Sequence, residues 1–336
     1  MMREEDVIVG ATAVLTRNYA DLPFDAVSNA ETAGRVISRT AGVLHGNGFT
    51  LHLLREMTAD NGRALAEKGQ IPAEMAGAAK NPAVLLPLEG NASVALGGSE
   101  HVFIMARRHG SALPEAVADC LAVEDQLSRR VSFAFDGQMG YLQASAEMLG
   151  TGLRAALVVH VPLLVRANRL PEALRALEEM GLRGRFCGMM GKRPRGDLLA
   201  VENRCAIGRT EQEICQLIQR GAEKVLCMEA GMRQQAAEAN SLRLTDRLCR
   251  AQGLTRSARL ISEIEFWCIW SDLRLGAQME LLPLTVGQVD ALLPEMMDAH
   301  LRNYAEEPLA GEAMDECRCN RLRELLYDIP MENGAL

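Results

Sequence analysis

The sequence predicts an α+β domain with a largely antiparallel sheet, followed by a second domain that is almost entirely helical. Two observations lead to this prediction. Up to about Ala239, short apolar or alternating runs lie between amphipathic segments, in a mixed order rather than a regular alternation of strand and helix. From Ser241 onward, helical periodicity is interrupted only by single glycines. We therefore expect two domains, at 1–239 and 240–336.

Four segments of the first domain have the apolar spacing of helices, and the longest begins at Thr210. There Thr210 and Glu213 have the spacing of a capping box, and apolar residues follow at helical intervals, so we expect a helix that runs with one break to about Arg250. The other three segments are Ala30–Leu44, 113–130 and 171–180.

The strand predictions rest on short apolar or alternating runs that end at turn residues. The longest run, at 153–165, reads LRAALVVHVPLLV, which is typical of a buried strand. The dipeptide at 136–137 is Asp-Gly, a hairpin signal that predicts a return strand at 140–143. The remaining predicted strands are 49–54, 83–88, 94–95, 102–105, 131–135, 182–187 and 198–207.

The composition excludes several classes of protein. Hydrophobic residues make up 48% and charged residues 24% of the 336 residues, which is typical of a globular chain and not of a disordered one. The formal net charge of −8 argues against a general attraction to nucleic acid or to an anionic membrane. No apolar stretch approaches the ~20 residues that span a bilayer, and the N-terminal segment lacks the basic region of a signal peptide.

The nine cysteines are scattered, with no CxxC pair and no zinc-ligand spacing. We therefore expect reduced thiols, a cytoplasmic location and no structural metal.

Three local features could bind an anion. The first is the turn 150–152, which leads into a strand that carries Arg154; a plain tight turn is the alternative. The second is the basic loop 188–197, which could equally be a solvated hairpin. The third is a C-terminal helix with Asp315 and Arg318 on one face, which could equally be a charged surface. The cations of the loop are Lys192, Arg193 and Arg195.

The segment DGQMGYLQASAEMLGTGLRAALVVHVPLL closely resembles the heart of the guanidino (phosphagen) kinases. The resemblance continues through GDLLAVENRCAIGRTEQEI and SDLRLG to MDECRCNRLRELL, and upstream through TRNYADLPF. The SDLRLG block is similar to the bacterial protein arginine kinases, which phosphorylate arginine side chains in proteins. The resemblance implies a sheet wrapped by helices, a helical dimerisation domain, ATP and Mg²⁺ as cofactors, and a cytosolic role in protein quality control.

Phosphoryl transfer to a guanidinium needs arginines that neutralise the triphosphate and carboxylates that hold the guanidinium. Compared with the family motifs, this sequence lacks many of these groups. The degenerate nucleotide-binding positions are Thr12, Val14, Gly69 and Phe103. The degenerate guanidinium-binding positions are Gly98, Ser99 and Ser145.

The resemblance leaves two phosphate-binding arginines, Arg154 and Arg183. Glu100 and Glu147 are the nearby acids that could replace the lost carboxylates, and the basic loop could supply phosphate-binding charge. Arg17 persists from the first arginine segment, at a position that we interpret as structural. In the C-terminal helix, the family's R-D-x-x-R-A motif becomes MDECRC at 314–319, which keeps Asp315 and Arg318 and implies a partial phosphoarginine-binding pocket.

The loss of one preorganised charge-stabilising donor costs roughly 3–4 kcal/mol of transition-state stabilisation, and here several are absent together. We therefore predict a pseudokinase, a non-catalytic or barely catalytic member of the protein arginine kinase family. We expect it to act by association as a homodimer or as a heterodimer with an active homologue, or with a kinase activator or a Clp-type unfoldase. The alternative is a functional ATP-dependent protein-arginine kinase with relocated residues.

Overall fold

The computed structural model describes residues 7–24, 26, 29–77, 82–191, 193–239, 241–305 and 309–327. Lys192 of the basic loop lies outside these ranges. The strands are β1 (Ile8–Arg17), β2 (Phe49–Leu53), β3 (Ala83–Pro87), β4 (Ala92–Leu96), β5 (Val102–His109), β6 (Phe135–Asp136), β7 (Gly140–Tyr141), β8 (Leu153–His160), β9 (Leu182–Phe186), β10 (Met189–Met190), β11 (Arg193–Pro194) and β12 (Leu198–Asn203). The helices are α1 (Ala30–Leu44), α2 (Ala59–Glu67), α3 (Leu113–Ser128), α4 (Pro162–Arg166), α5 (Leu170–Glu179), α6 (Glu211–Glu238), α7 (Leu242–Ser257), α8 (Glu263–Gln278), α9 (Val286–Asp290), α10 (Leu292–Glu295), α11 (Asp298–Tyr304) and α12 (Glu312–Leu325).

Eight strands form one antiparallel sheet in the order β2-β3-β4-β5-β1-β8-β12-β9. The short strands form two separate ribbons, β6 with β7 and β10 with β11. β1 lies in the middle of the large sheet and pairs with β5 on one side and β8 on the other. The residues of β1 therefore have neighbours on both sides.

The two faces of the sheet differ in their burial because side chains alternate along each strand. Ala11, Ala13 and Leu15 of β1 point into the main core, which α1, α3, α5 and α6 cover. Thr12 and Val14 point to the opposite face and are only partly buried. We call this second side the open face of the sheet.

A second hydrophobic core lies among the C-terminal helices, around the fully buried Phe266 and Trp270 of α8. It also includes Leu163 and Leu198 from the sheet part of the chain. The two cores therefore meet at the end of the sheet formed by β8 and β12. No helix in the described ranges combines the length and apolar character needed to cross a bilayer.

The predicted fold class is confirmed, and the helix at Ala30–Leu44 has the predicted bounds. The predicted strand 153–165 is wrong beyond His160, because Pro162 begins α4. Of the predicted strand 131–135, only Phe135 lies in a strand, β6. Upstream of it, Phe133 forms one isolated bridge with Tyr19. The sequence did not predict β1, because its outward and inward positions both hold small or apolar residues and give a weak alternation.

Candidate functional site

The open face of the sheet carries a row of side chains that crosses five strands. In order across β5, β1, β8, β12 and β9, the paired residues are Arg107, Thr12, Ala156, Glu202 and Arg183. Directly paired positions in a sheet lie side by side, so these residues share one surface. Thr12 and Ala156, both uncharged, separate Arg107 from Glu202 and Arg183.

The two arginines that the sequence assigns to phosphate binding lie close to one carboxylate of the same chain. Arg183 donates to Glu147 with an Nη2–Oε1 distance of 3.0 Å, and Arg154 Nη2 lies 3.8 Å from Glu147 Oε2. The hydrogen bond from Arg183 lowers the pKa of Glu147, and the positive charges of Arg183, Arg154 and Arg204 add to the shift. Glu147 is therefore ionised at neutral pH and offsets part of the positive charge of the arginine pair.

Apolar side chains occupy much of the remaining open face. Phe103 belongs to a third hydrophobic cluster with Met75, and Val14 and Met105 pack against this cluster. Because β1 pairs Val14 with Arg154, the apolar cluster directly borders the arginine pair. The face thus offers dispersion contacts where a triphosphate would need cations. The buried members of the third cluster are Ile71, Met75, Val84, Ala95 and Phe103.

Gly98 and Phe103, two of the degenerate positions, are sterically coupled. A Cβ atom added at Gly98 would lie 2.7 Å from Phe103 Cε2 and 3.0 Å from Met75 Cε. Any longer side chain at position 98 would therefore collide with the ring that fills this space.

Gly69 is similarly tied to its neighbour, because an added Cβ would lie 3.1 Å from Arg107 Cζ. Its φ of +70° also favours glycine. Arg107 itself donates from Nη1 to the carbonyl oxygen of Glu67 at 3.1 Å. The guanidinium of Arg107 thus occupies the space beside Gly69.

The two proposed substitute carboxylates are both engaged elsewhere. Glu100 is buried and accepts hydrogen bonds from the side chain of Asn18 and from the backbone N–H groups of Ala144 and Ser145. It therefore stabilises the backbone at 144–145 and is engaged within the protein. Glu147 is exposed, but it binds the arginine pair.

Ser99 and Ser145 are exposed and bring no carboxylate to the site. Arg17 has the structural role that the sequence indicated. Its side chain is buried, donates to the carbonyls of Thr16 and Thr151 at 2.8 Å, and lies over the Tyr141 ring.

The turn at 150–152 packs closely against the protein. The Thr151 carbonyl accepts from Arg17, and the Gly152 carbonyl accepts from the backbone and hydroxyl of Thr16 at 2.9 and 3.1 Å. A Cβ at Gly150 would lie 2.6 Å from the Ala206 carbonyl oxygen. This geometry favours the tight-turn alternative over a phosphate-binding loop.

The described cations of the basic loop bind the protein itself. Arg193 forms a bidentate ion pair with the buried Asp197, and Ser271 of α8 donates to the same carboxylate at 2.6 Å. Arg195 lies over the ring of Trp267, also in α8, and close to Glu263. The loop therefore fastens the sheet to α8, and we call residues 193–197 the clasp.

A cleft of about 570 Å³ lies between the open face, α2 and the C-terminal helices. Thr12 of β1 lines one wall, and Trp267 and Met297 line another. Sequence reasoning missed this cleft because its walls come from distant segments, although the Arg107-Arg108-His109 run at the end of a strand was a visible signal. Its main polar lining residues are Lys68, Gln70, Asn91, Arg107 and His109.

In the C-terminal helix, Arg318 is enclosed by acceptors of the protein itself. Arg318 is 1% exposed, and its guanidinium donates to the Ile261 carbonyl at 2.8 Å, to Asp315 at 2.9 Å and to Asp298. Nε of Arg318 also faces the Met296 carbonyl at 3.4 Å. Arg318 therefore ties α12 to α11 and to the segment before α8.

The open face presents few unpaired charges to a triphosphate. Arg154 and Arg183 share the carboxylate of Glu147. Thr12 and Val14 are uncharged. The two arginines of the clasp form ion pairs with Asp197 and Glu263. Among the described residues, no group of three or more His, Cys, Asp or Glu side chains is arranged to hold a metal ion.

Comparison with protein families gives two matches in succession along the chain. Residues 33–232 match the model described as ATP:guanido phosphotransferase, C-terminal catalytic domain. Residues 241–335 match the model described as Protein-arginine kinase McsB C-terminal domain.

Curated relatives agree with these matches. The protein-arginine kinase of Moorella thermoacetica is 28% identical over 331 residues, covering 96% of this chain and 95% of the relative. That of Shouchella clausii is 28% identical over 330 residues, covering 96% and 92%.

Solved structures of phosphagen kinases share the fold. The duplicated taurocyamine kinase from Schistosoma mansoni, with bound transition state analog components, has a TM-score of 0.60 at 19% identity, over 72% of this chain and 36% of that chain. Lombricine kinase has a TM-score of 0.58 at 19% identity, over 71% and 69%.

Proposed function

Because the chain belongs to the ATP:guanido phosphotransferase family, in its bacterial protein arginine kinase branch, we propose that it is a pseudokinase of that branch. In this role it retains the kinase fold and acts by association with other proteins. Phosphoryl transfer from ATP to protein arginine is absent or residual.

The observation that carries this proposal is the chemistry of the open face. Beside Arg154 on β1 lies Val14, which packs against the third cluster, and Phe103 closes the space beside Gly98. The side chains that replace the family residues pack against one another. We therefore expect that a single substitution would not restore a catalytic site. This coupling supports a settled non-catalytic role.

The test is an assay for phosphoarginine. The full-length protein is incubated with ATP, Mg²⁺ and an arginine-rich protein, and phosphoarginine is measured by mass spectrometry. We expect no signal above that of the Arg154→Ala variant, which controls for contaminating kinases. Phosphoarginine that forms with the wild type and disappears with Arg154→Ala would establish the alternative, a functional protein-arginine kinase.

Nucleotide binding gives a second measurement. With Thr12 and Val14 in place of arginines, we expect weak or undetectable binding of ATP by calorimetry. Micromolar, Mg²⁺-dependent binding that is lost in Arg154→Ala would contradict the proposal.

We further propose a cytoplasmic protein with a role in arginine phosphorylation and protein quality control. Its association partners are a second copy of the chain, an active homologue, a kinase activator or a Clp-type unfoldase. Light scattering of the purified protein at tens of micromolar tests self-association, and a monomer would exclude the homodimer. Co-purification with an active homologue tests the heterodimer.

A further inference from the structure

The outward face of α7 combines unpaired arginines with exposed leucines. Arg243 and Arg250 are exposed and have no hydrogen-bond or ion-pair partner in the described part of the chain. Leu242 and Leu254, at the two ends of the same face, are 78% and 38% exposed. We call this surface, together with Gly253, the α7 face.

The helical positions explain why these residues share one face. The opposite side of α7 is buried against the C-terminal core through Leu248, Ala251, Gln252 and Thr255, which follow helical spacing. Residues about half a turn away from that stripe must then face the solvent. Leu242 and Leu254 are separated by about 18 Å along the helix, with the arginines between them.

The loop that follows α7 extends the surface. Arg259 is exposed and has no partner in the described ranges, and Leu260 is 45% exposed. Ile264, at the start of α8, is 61% exposed. These exposed residues follow α7 directly along the chain.

The charge of this surface is opposite to that of the molecule. α7 contains four arginines and one acidic residue, Asp246, whereas the whole chain has a net charge of −8. Most other arginines of the chain have carboxylate partners of their own, such as Arg247 with Asp272. Arg243, Arg250 and Arg259 are thus positive charges without an ion-pair partner in the described ranges, although exposed arginines of the same kind, such as Arg130 and Arg220, lie elsewhere.

Gly253 is a second, independent observation. It lies in the interior of α7, where glycine is less favourable than alanine, and a Cβ built there meets no heavy atom within 4 Å. Packing within the chain therefore gives no reason for a glycine at this position. A small residue on a helix surface allows a second backbone to approach closely.

We propose that the α7 face is a docking site for an acidic amphipathic segment of a different protein. Its carboxylates would pair with Arg243, Arg250 and Arg259, and its apolar side chains would cover the exposed leucines. A second copy of this chain complements this face less well, because it would bring the same excess of arginines and only one acidic residue of α7, Asp246, to a twofold contact. The inference deepens the proposed role in association by naming the chemistry of the partner.

The test is fluorescence anisotropy with the full-length protein and a labelled 18-residue amphipathic peptide that has glutamates on one face and leucines on the other. We expect saturable binding that is at least about tenfold tighter than that of a peptide of the same composition without an apolar face. The double variant Arg243→Glu/Arg250→Glu should weaken binding by about tenfold or more. The matched variant Arg130→Glu/Arg220→Glu, which makes the same charge change at exposed arginines elsewhere, should change it less than about twofold.

Gly253→Gln separates docking from folding. Glutamine is a better helix former, so the variant should be at least as stable as the wild type, yet its side chain would block the close approach and weaken peptide binding. Equal binding of the two acidic peptides, or equal effects of the two double variants, would overturn the proposal as simple charge attraction. So would binding to phosphatidylglycerol vesicles in preference to the peptide, or a dimer that Arg243→Glu/Arg250→Glu dissociates.

The phosphoarginine assay is independent of these measurements. A positive assay would refute the pseudokinase proposal and leave the peptide binding intact. A failure of peptide binding would refute docking and leave the absence of catalysis unaffected.

Discussion

At the scale of single residues, the altered site is defined by pairs of neighbours that fit each other. The ring of Phe103 fills the space into which a side chain at Gly98 would point. Gly98→Ala should therefore destabilise the protein by about 1–3 kcal/mol, the range for overpacking in a filled core. Phe103→Leu should reduce that penalty, because a shorter side chain frees part of the space.

A double-mutant cycle measured by urea unfolding tests this coupling. If the effects of Gly98→Ala and Phe103→Leu were simply additive, the two positions would be independent and the packing argument would be wrong.

Glu147 pairs with the two arginines that the family resemblance assigns to phosphate binding. Glu147→Gln removes its negative charge and leaves Arg154 and Arg183 to an external ligand. We expect affinity for pyrophosphate, measured by calorimetry, to rise about two- to fivefold, in keeping with an exposed ion pair. The control Glu238→Gln, on the surface of α6, should leave the affinity unchanged. An equal rise in both variants would show a general charge effect.

His160 should make the stability depend on pH. Its ring is fully buried and lies 3.0 Å from the Ser271 hydroxyl. Burial lowers the pKa of His160 well below its ordinary value of 6.5, and the nearby charges of Arg274 and Arg233 lower it further. Below pH 6.5 the unfolded chain therefore binds a proton that the folded chain does not, so stability must fall as the pH decreases.

The expected loss is about 1.4 kcal/mol per pH unit below pH 6.5, compared with a variant that lacks the imidazole. Urea unfolding of the wild type and His160→Gln between pH 7.5 and 5.5 measures it. Subtracting the pH profile of His160→Gln from that of the wild type removes the contributions of the other titrating groups. One of these is the buried Glu229, whose pKa is raised by burial and whose effect on the pH dependence of stability has the opposite sign. Parallel pH profiles of the two proteins would contradict the assignment.

At the scale of elements, the clasp distinguishes a structural loop from a ligand-binding one. Arg193→Ala would leave the buried Asp197 carboxylate without its cation and should cost about 2–4 kcal/mol of unfolding free energy. Arg195→Ala removes a partly exposed ion pair with Glu263 and should cost at most about 1 kcal/mol. Thermal or urea unfolding of the two variants checks this order, and a similar small loss in both would mean that the loop is not a clasp.

The elements also show what the sequence could predict. Helices with strong periodicity and a clear cap, such as α1 and α6, follow from local patterns. The change from β8 to α4 was missed because a continuous apolar run does not distinguish a buried strand from a buried helix turn.

Individual site residues were harder to predict, because their roles depend on distant partners. The family motif identified Gly98 and Phe103 as changed positions, but only the structure shows that the ring of Phe103 fills the space beside Gly98. Arg318 had the spacing of an exposed helix residue, yet acceptors from α11 and from the segment before α8 enclose it.

At the scale of the whole molecule, the two hydrophobic cores are mechanically linked. Leu163 and Leu198 of the sheet part belong to the second core, and the buried chain of hydrogen bonds from His160 through Ser271 to Asp197 crosses the same boundary. Separating the cores would expose these polar groups without partners, which is costly. Calorimetry of the full-length protein should therefore show one transition with equal calorimetric and van't Hoff enthalpies.

Two glycines of the same loop provide a matched test of this linkage. Gly196 and Gly191 have φ of +59° and +61°, so alanine at either position carries a similar backbone strain. A Cβ at Gly196 would lie 2.7 Å from Trp267 Cε3, whereas at Gly191 it would meet no heavy atom within 4 Å. Gly196→Ala should therefore wedge the clasp away from α8 and split or broaden the transition, while Gly191→Ala should only lower its midpoint slightly. Two transitions already present in the wild type would instead mean that the sheet and the C-terminal helices unfold independently, and that the clasp does not couple them.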